Sequence, residues 1–385
     1  MVKTKNIRSP SKIRKNYDWP CSHFRKREQK ELIRIAYISP FEVNNITMNK
    51  IFLLVACCWF STIYAQEDLL KKADATLAKA KVYSVMDKVQ IPPSGDKHDY
   101  MSQGPYWWPD TTKKDGKPYI RRDGVRNPEI DLISDSEEMD WMTEDVVLLT
   151  DAFEKSKDEK YARFAARLLA TWFINPATRQ TPHLNFGQGI PGINTGRGIG
   201  IIETRLLYKL TDAATRLQAS KAWTSDNHDK LKTWFRDYLT WLLESPIGLD
   251  EADEHNNHGT YYDVQVINYA IFLGRNDLAK KQLGMTKKRI ESQIKPDGSQ
   301  PFEIARTKSL GYCVMNLQGY FLIAGFVEKI KEDLWQYQSP SGASLGKAYA
   351  FLKPYLDQEK PWPYQQIIPF DKREAQDLIK LYRGH

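Results

Sequence analysis

From about residue 130 onward, apolar positions recur at helical intervals. Tyr161, Phe164, Ala165, Leu168, Leu169 and Trp172 stand at i, i+3, i+4, i+7, i+8 and i+11, and Leu231, Trp234, Phe235, Tyr238, Leu239 and Leu242 repeat those intervals. Such spacing lays one apolar stripe along a helix. The same reading predicts helices near 67–87, 136–155, 197–217, 260–273, 276–294, 310–330, 343–354 and 371–383. Alternating β-branched runs are scarce. Connections rich in Gly, Pro and Asn separate the helices, notably 175–196 and 244–259, and loops of that length in a compact domain are usually functional. The section 91–130 reads as largely irregular. The expected fold is all-α: many helices in series with long loops suit a single-domain (α/α) toroid or incomplete barrel, whose hairpins circle a central groove. A long irregular bundle is the rival.

The stretch 48–65, MNKIFLLVACCWFSTIYA, breaks this pattern. One Lys, an apolar run from Ile51 to Phe60 and a small-residue exit at Ala65 have the layout of a secretory signal peptide, with cleavage expected after Ala65. The run is short of the roughly 20 residues a membrane-spanning helix needs. The 47 residues before it are basic, polar and aperiodic. They are expected to be a start-site misassignment, with translation beginning at Met48; a disordered basic tail on a membrane-anchored protein is the alternative. LVAC at 54–57 loosely resembles a lipoprotein box, but Cys58, Trp59 and Phe60 continue the apolar run beyond it. A soluble product is expected, secreted or periplasmic, with the domain occupying 66–385.

Export changes the meaning of the composition. The chain has 56 Lys+Arg against 48 Asp+Glu, a formal net charge of +8. Residues 1–65 hold 12 of those basic groups and 4 of the acidic ones, so the remainder carries 44 of each and is neutral. The excess basicity therefore gives no support to nucleic-acid binding, and any anion site must be local. Cys21, Cys57 and Cys58 also fall in 1–65, leaving Cys313 and no intrachain disulfide in a chain starting at Gln66.

Four clusters carry candidate chemistry. HNNHGTYYDVQ (255–265) gathers His, Asn, Tyr and Asp around one Gly, with Asn257 and His258 at the entrance of a helix expected from about Thr260. Helix capping by Asn is the structural alternative, and His255 with His258 as metal ligands is a weaker one, since no strong zinc spacing is present. No metal or other cofactor is expected. PDGSQPFEIARTKSLGYCVMNLQGY (296–320) offers Arg306, whose planar fork suits a carboxylate, and Tyr312. Their structural alternatives are an Arg306–Glu303 surface pair and a core Tyr. YMSQGPYWWPDTTKKDGKPYIRRDGVRNPE (100–129) sets Tyr106, Trp107 and Trp108 beside Arg121 and Arg122. Stacking faces next to guanidinium groups suit an acidic sugar, while an extended loop anchored by the two Trp is the alternative. GQGIPGINTGRGIGIIETR (187–205) lacks the ending of a phosphate loop and is expected to bring Asn194 and Arg197 to a helix entrance. Tyr261 and Tyr262 complete the candidate substrate contacts.

At these motifs the sequence resembles the alginate lyase superfamily with an α/α toroid, across roughly 98–320, and is similar in particular to the alginate lyases of polysaccharide lyase family 38. The stretches that carry the resemblance are YMSQGPYWWPD, GKPYIRRDGVRNPE, GIIETR, NNHGTYYDVQ and ARTKSLGYCVMNL. The resemblance implies a catalytic Asn–His pair, matched by Asn257 and His258, a Tyr, matched by Tyr312, and an Arg, for which Arg306 is the match. In the better-known mannuronate lyases of this fold the Arg-to-Tyr spacing is one residue longer, a departure that could turn Arg306 away from the groove.

The partner so implied is an anionic polysaccharide, with mannuronate-rich alginate as the first expectation. β-Elimination from a uronate needs the C5 proton removed, the carboxylate charge neutralised and O4 protonated. Asn257, assisted by Arg306, is expected at the carboxylate, His258 as base and Tyr312 as acid, with Tyr312 filling both roles on mannuronate as the alternative. The rival functions are lyase action on glucuronan or another polyuronate, glycoside hydrolysis, with Asp253, Glu254 and Asp263 as candidate carboxylates, and non-catalytic glycan binding.

Overall fold

The computed structural model describes residues 67–382, so the expected extension 1–47 and signal segment 48–65 lie outside the described residues. The first helix, α1, covers 67–79. It stops short of the expected 87 because Ala80 takes a left-handed φ of 49°, and a separate 3-10 turn, Val85–Asp87, follows with Ser84 as its cap. Then come α2 (Asp135–Ser156) and α3 (Glu159–Leu169), joined by Lys157 in the left-handed region and by Asp158, which caps α3 by accepting from the Lys160 amide. A π turn, Ala170–Ile174, extends α3.

The middle of the chain forms α4 (Tyr208–Leu217), α5 (Ser225–Glu244), α6 (Pro246–Ala252), α7 (Asn257–Phe272) and α8 (Asn276–Gln293). The last part forms α9 (Pro301–Ile304), α10 (Ser309–Val327), α11 (Leu345–Leu356) and α12 (Lys372–Leu381). Packed neighbours are α2 with α3, α7 with α8, and α10 with α7, α11 and α12. The fold is an all-α (α/α) toroid.

The amphipathic stripes become the wall of the core. Trp172, Leu168, Trp234, Phe235, Tyr238 and Leu242 are all buried. Phe173 meets Trp234 edge-on at 4.7 Å between ring centroids, and Trp234 stacks on Tyr238 at 5.2 Å. Each buried indole still needs an acceptor, and Gln180 supplies both: its side chain takes the Trp172 Nε1–H and its carbonyl the Trp234 Nε1–H. By contrast α7 and α10 are buried nearly all round, as helices without a polar face must be. The segment Ser309–Ile330 is long and apolar enough by composition to cross a membrane, but here most of it lies inside the protein core.

Irregular segments are fixed by specific polar contacts. Lys88 and Asp135 form a fully buried ion pair at 3.0 Å; Lys88 also donates to the carbonyls of Val85 and Lys97, and Asp135 accepts from the Met101 amide. These contacts tie 85–101 to the start of α2. Three short strands lie in the stretch 91–130 expected to be irregular: β1 (Met101–Gln103), which runs parallel to β4 (Phe186–Gly189) of the 175–196 connection, and β2 (Trp107–Trp108), which pairs antiparallel with β3 (Ile120–Arg121). The expected helix 197–217 is interrupted, with a 3-10 run over Gly198–Thr204 before α4. At its start the chain crosses β4 so closely that a Cβ on Gly200 would sit 2.5 Å from the Gly187 carbonyl oxygen. The glycines of this motif thus serve a backbone crossing.

Candidate active site

The loop 244–259 holds the helix α6, and α7 begins three residues earlier than its apolar pattern suggests. Asn256 is the cap, its side chain accepting from the His258 amide at 2.9 Å. Asn257 and His258 therefore form the first turn of α7. Asn257 is buried, and both its backbone N–H and its Nδ2 donate to Glu303 of α9, at 2.6 and 2.9 Å. The His258 ring places Nδ1 2.9 Å from Oε1 of Glu251, a buried carboxylate on α6. Behind them Arg289 of α8 donates to Asp263 and to the carbonyls of Ala252 and Glu254. That approach requires a glycine at 259, where a Cβ would lie 2.1 Å from the Glu254 oxygen.

The start of α10 supplies the second half. Tyr312, in its first turn, receives a hydrogen bond from Arg306 Nη2 at 3.0 Å and shares one with the Tyr106 hydroxyl at 2.9 Å. The Arg306 guanidinium also lies 4.1 Å from the centre of the Tyr312 ring. The short Arg-to-Tyr spacing therefore keeps the two side chains together. Arg306 does not pair with the Glu303 side chain. It binds Asp123 through Nε and Nη2 at 3.3 and 2.9 Å. Asp123 also accepts from Arg121 and Thr307, which fastens the β2–β3 hairpin to the α9–α10 corner.

The remaining expected contacts divide. Trp107 faces the Arg197 guanidinium at 5.9 Å, and Trp108 faces that of Arg122 at 5.2 Å, so aromatic and cationic side chains do meet on this hairpin. Arg197 is held by Gln188 through its carbonyl and side chain and lies within the electrostatic reach of Arg121, Glu251 and Glu254. Asn194 is exposed, and its side chain accepts from the Ile190 amide to close a local turn. Tyr261 and Tyr262 are corrections: both are buried, Tyr262 donates to the Leu242 carbonyl, and Tyr261 packs against Gly319 of α10. The Tyr262 hydroxyl and the Tyr261 ring are thus engaged with the core rather than with a sugar. Asp263, weighed as a hydrolytic carboxylate, is fully buried among Arg289, Gln282 and Thr286. His255 lies edge-on to Phe302, and among the described residues no group of three or more His, Cys, Asp or Glu could hold a metal ion.

Electrostatics separates the groups by task. Burial, with the neighbouring Tyr106, pushes the Tyr312 phenol well above its ordinary value despite Arg306, so it holds its proton at neutral pH. Burial also raises Glu251 and Glu303, opposed by His258 in the first case and chiefly by the Asn257 hydrogen bonds in the second. Burial would raise Asp123 too, but the hydrogen bonds and charge of Arg306, with Arg121 and Thr307, bring it down to about 2. Glu303 feels both Arg306 and His258 and so links the two halves. The arrangement can hold a proton donor, a ring nitrogen oriented by a carboxylate and a fixed cation around one anionic group. Glu251 and Asp123 escaped the sequence reading: Glu251 lies among several acidic residues of which only the fold singles out one, and Asp123 stands in a basic run far along the chain from Arg306. Glu303 was seen, but as a partner for Arg306.

One consequence is a pH-independent fastening. The Asp123 carboxylate contributes stability that is present above its ordinary value near 3.8 and lost only as pH falls through about 2. Asp123→Asn is expected to lower kcat/KM roughly tenfold, by weakening a charge-assisted pair, and by the same factor at pH 5 and pH 8. Initial rates at the two pH values check this.

The family model described as alginate lyase matches residues 84–362. Among solved structures, an alginate lyase from Bacteroides ovatus is 41% identical, covering 82% of this chain and 84% of its own, with a TM-score of 0.79. A histidine-to-alanine variant of alginate lyase A1-III complexed with a tetrasaccharide shares the fold at 16% identity, covering 77% of this chain and 76% of its own, with a TM-score of 0.51. No curated protein matches the sequence.

Proposed function

The chain belongs to the alginate lyase family and is a polysaccharide lyase, and from that premise we propose that it cleaves the 1,4-linkages of alginate by β-elimination, leaving a 4,5-unsaturated uronate. The observation that carries the reading is that Tyr312, Asn257 and His258 stand at the first turns of two packed helices, with Arg306 just before the second and bonded to Tyr312. Both helix N-termini carry partial positive charge, which favours an anion there.

The barrier in uronate elimination is the weak acidity of the C5 proton while its carboxylate is charged. In the proposed mechanism Asn257, held in place by Glu303, donates to that carboxylate, and Arg306 adds its positive charge. Neutralising developing charge with fixed donors is usually the largest catalytic contribution. His258, oriented through Nδ1 by Glu251, takes the C5 proton on Nε2. Tyr312 gives its proton to O4 as the C4–O4 bond breaks and the C4–C5 double bond forms. Tyr312 carries its proton at neutral pH, as a general acid must before transfer. In guluronate the C5 hydrogen and O4 lie on opposite faces, which a separate base and acid serve directly; in mannuronate they lie on one face, where Tyr312 alone could do both.

Purified 66–385, incubated with mannuronate-rich, guluronate-rich and glucuronate polymers, is expected to raise ultraviolet absorbance fastest on an alginate block. New reducing ends without absorbance would mean hydrolysis; faster glucuronan cleavage would replace the substrate. His258→Ala should lower turnover of guluronate blocks by roughly 10²–10⁴-fold. Full rates there would remove His258 as base. Export to the periplasm or medium through 48–65 is part of the same proposal, and a peptide from 1–47 in the native protein would overturn it.

A further inference from the structure

At the far end of α7 from Asn257 and His258, the length of α4, the ends of α7 and α10 and the first turns of α5 line a depression of about 660 Å³. This is within the roughly 300–1,000 Å³ of ordinary ligand sites. The fifteen steps from Asn257 to Phe272 put it about 22 Å from the catalytic end of the helix, so it is separate from the site described above.

Its lining is lopsided in charge. Four cations border it, Lys209, Arg216, Lys232 and Lys329, against one carboxylate, Asp212. Arg216 is already engaged by Asp151, Glu154 and Asp212, at 2.6, 2.8 and 2.9 Å, so it is spent on three carboxylates and offers a ligand no free charge. Lys209 and Lys232 are half-buried and Lys329 is exposed; none of the three makes an ion pair among the described residues, although Asp140 lies within the electrostatic reach of Lys209. In a chain that is neutral beyond residue 65, Lys209, Lys232 and Lys329 are the cations of this depression left to meet a ligand's carboxylates.

The walls suit a sugar. Tyr208 and Phe326 meet at 5.4 Å between centroids, and Lys232 lies 5.8 Å from the centre of the Phe272 ring. These rings offer apolar faces to sugar C–H groups next to ammonium groups for carboxylates. Asn268 accepts from Thr211 through Oδ1, which leaves its amide hydrogens without a protein acceptor among the described residues. We infer that this depression is a second, non-catalytic site for a carboxylated oligosaccharide, the same uronate class that the proposed activity consumes. The inference rests on that reading of the substrate. Holding one stretch of polymer here raises the local concentration of the rest at the catalytic end.

The test is calorimetric titration of the Tyr312→Phe protein with a uronate tetrasaccharide, with absorbance recorded to register any turnover. Two sites per chain are expected. Adding Lys209→Glu and Lys232→Glu should leave one, and the milder pair Lys209→Gln and Lys232→Gln should weaken the second site at least tenfold if charge reversal disturbs folding. With Tyr312 intact, the same lysine pairs should preserve kcat on short oligosaccharides and raise KM on long polymer about tenfold. A single site that survives the lysine changes would overturn the inference while leaving the substrate reading in place. Two sites unaffected by the lysine changes would also overturn it, and no binding anywhere would remove both.

Discussion

Replacing Tyr312 by Phe is expected to lower turnover by roughly 10²–10⁴-fold, the usual range for a positioned proton donor, while KM changes little. The ring remains against the Arg306 guanidinium, and Arg306 keeps its two bonds to Asp123, so the substrate should meet nearly the same surface. Only the proton for O4 is missing. The groups left behind are Arg306 Nη2, which still has Asp123, and the Tyr106 hydroxyl, so the fold should lose no more than about 1 kcal/mol. Initial rates of unsaturated product, taken with an unfolding midpoint, separate the outcomes. A rate within a few-fold of the parent would dismiss Tyr312 as the acid, and an equal rise in KM would make it a binding residue.

Arg289→Met is the second large effect, and it falls on stability. Asp263 is fully buried, and Arg289 is its counterion at 3.0 Å. Removing one partner of a buried pair destabilises by about 3–5 kcal/mol. The sign of the pH dependence follows from Asp263, whose carboxyl burial raises to about 6 against the pull of Arg289. Its stabilising influence is complete below the ordinary value near 3.8 and is lost as pH rises through the folded value. Without Arg289 the folded value rises further, so the loss extends to higher pH. The deficit against the parent should thus be larger at pH 8 than at pH 5 in urea midpoints. Equal deficits would mean that Asp263 is not the group left exposed. Because Arg289 also holds the Ala252 and Glu254 carbonyls beside Glu251, turnover should fall in the same variant.

The helices were legible because a 3.6-residue stripe shows wherever one face is buried and the other solvated. The stripe of α5 is an example: all six positions from Leu231 to Leu242 lie buried on that helix. The boundaries that were missed have local causes: the left-handed Ala80 ends α1, and the close crossing at Gly200 prevents α4 from starting earlier. Asn257, His258, Arg306 and Tyr312 could be named because polar clusters stood at predicted helix starts and matched a family pattern. Their partners could not. Glu251 and Asp123 acquire their roles from residues 7 and 183 positions away, and nothing in a linear pattern announces those contacts. Tyr261 and Tyr262 misled for the opposite reason: α7 is buried nearly all round, so a Tyr beside the motif is a core residue, and Tyr262 spends its hydroxyl on the Leu242 carbonyl.

The two bonds from Asn257 to Glu303 span 46 residues of chain. Closing a loop of that length carries an entropic penalty before any contact repays it, so the first turn of α7 cannot take its working geometry until α8 has folded back and α9 has arrived. Arg306 and Tyr312 follow only a few residues later. A chain emerging from a ribosome or a translocation pore would therefore build most of its wall first and its chemistry last, and an intermediate stalled before residue 303 would be helical yet inert.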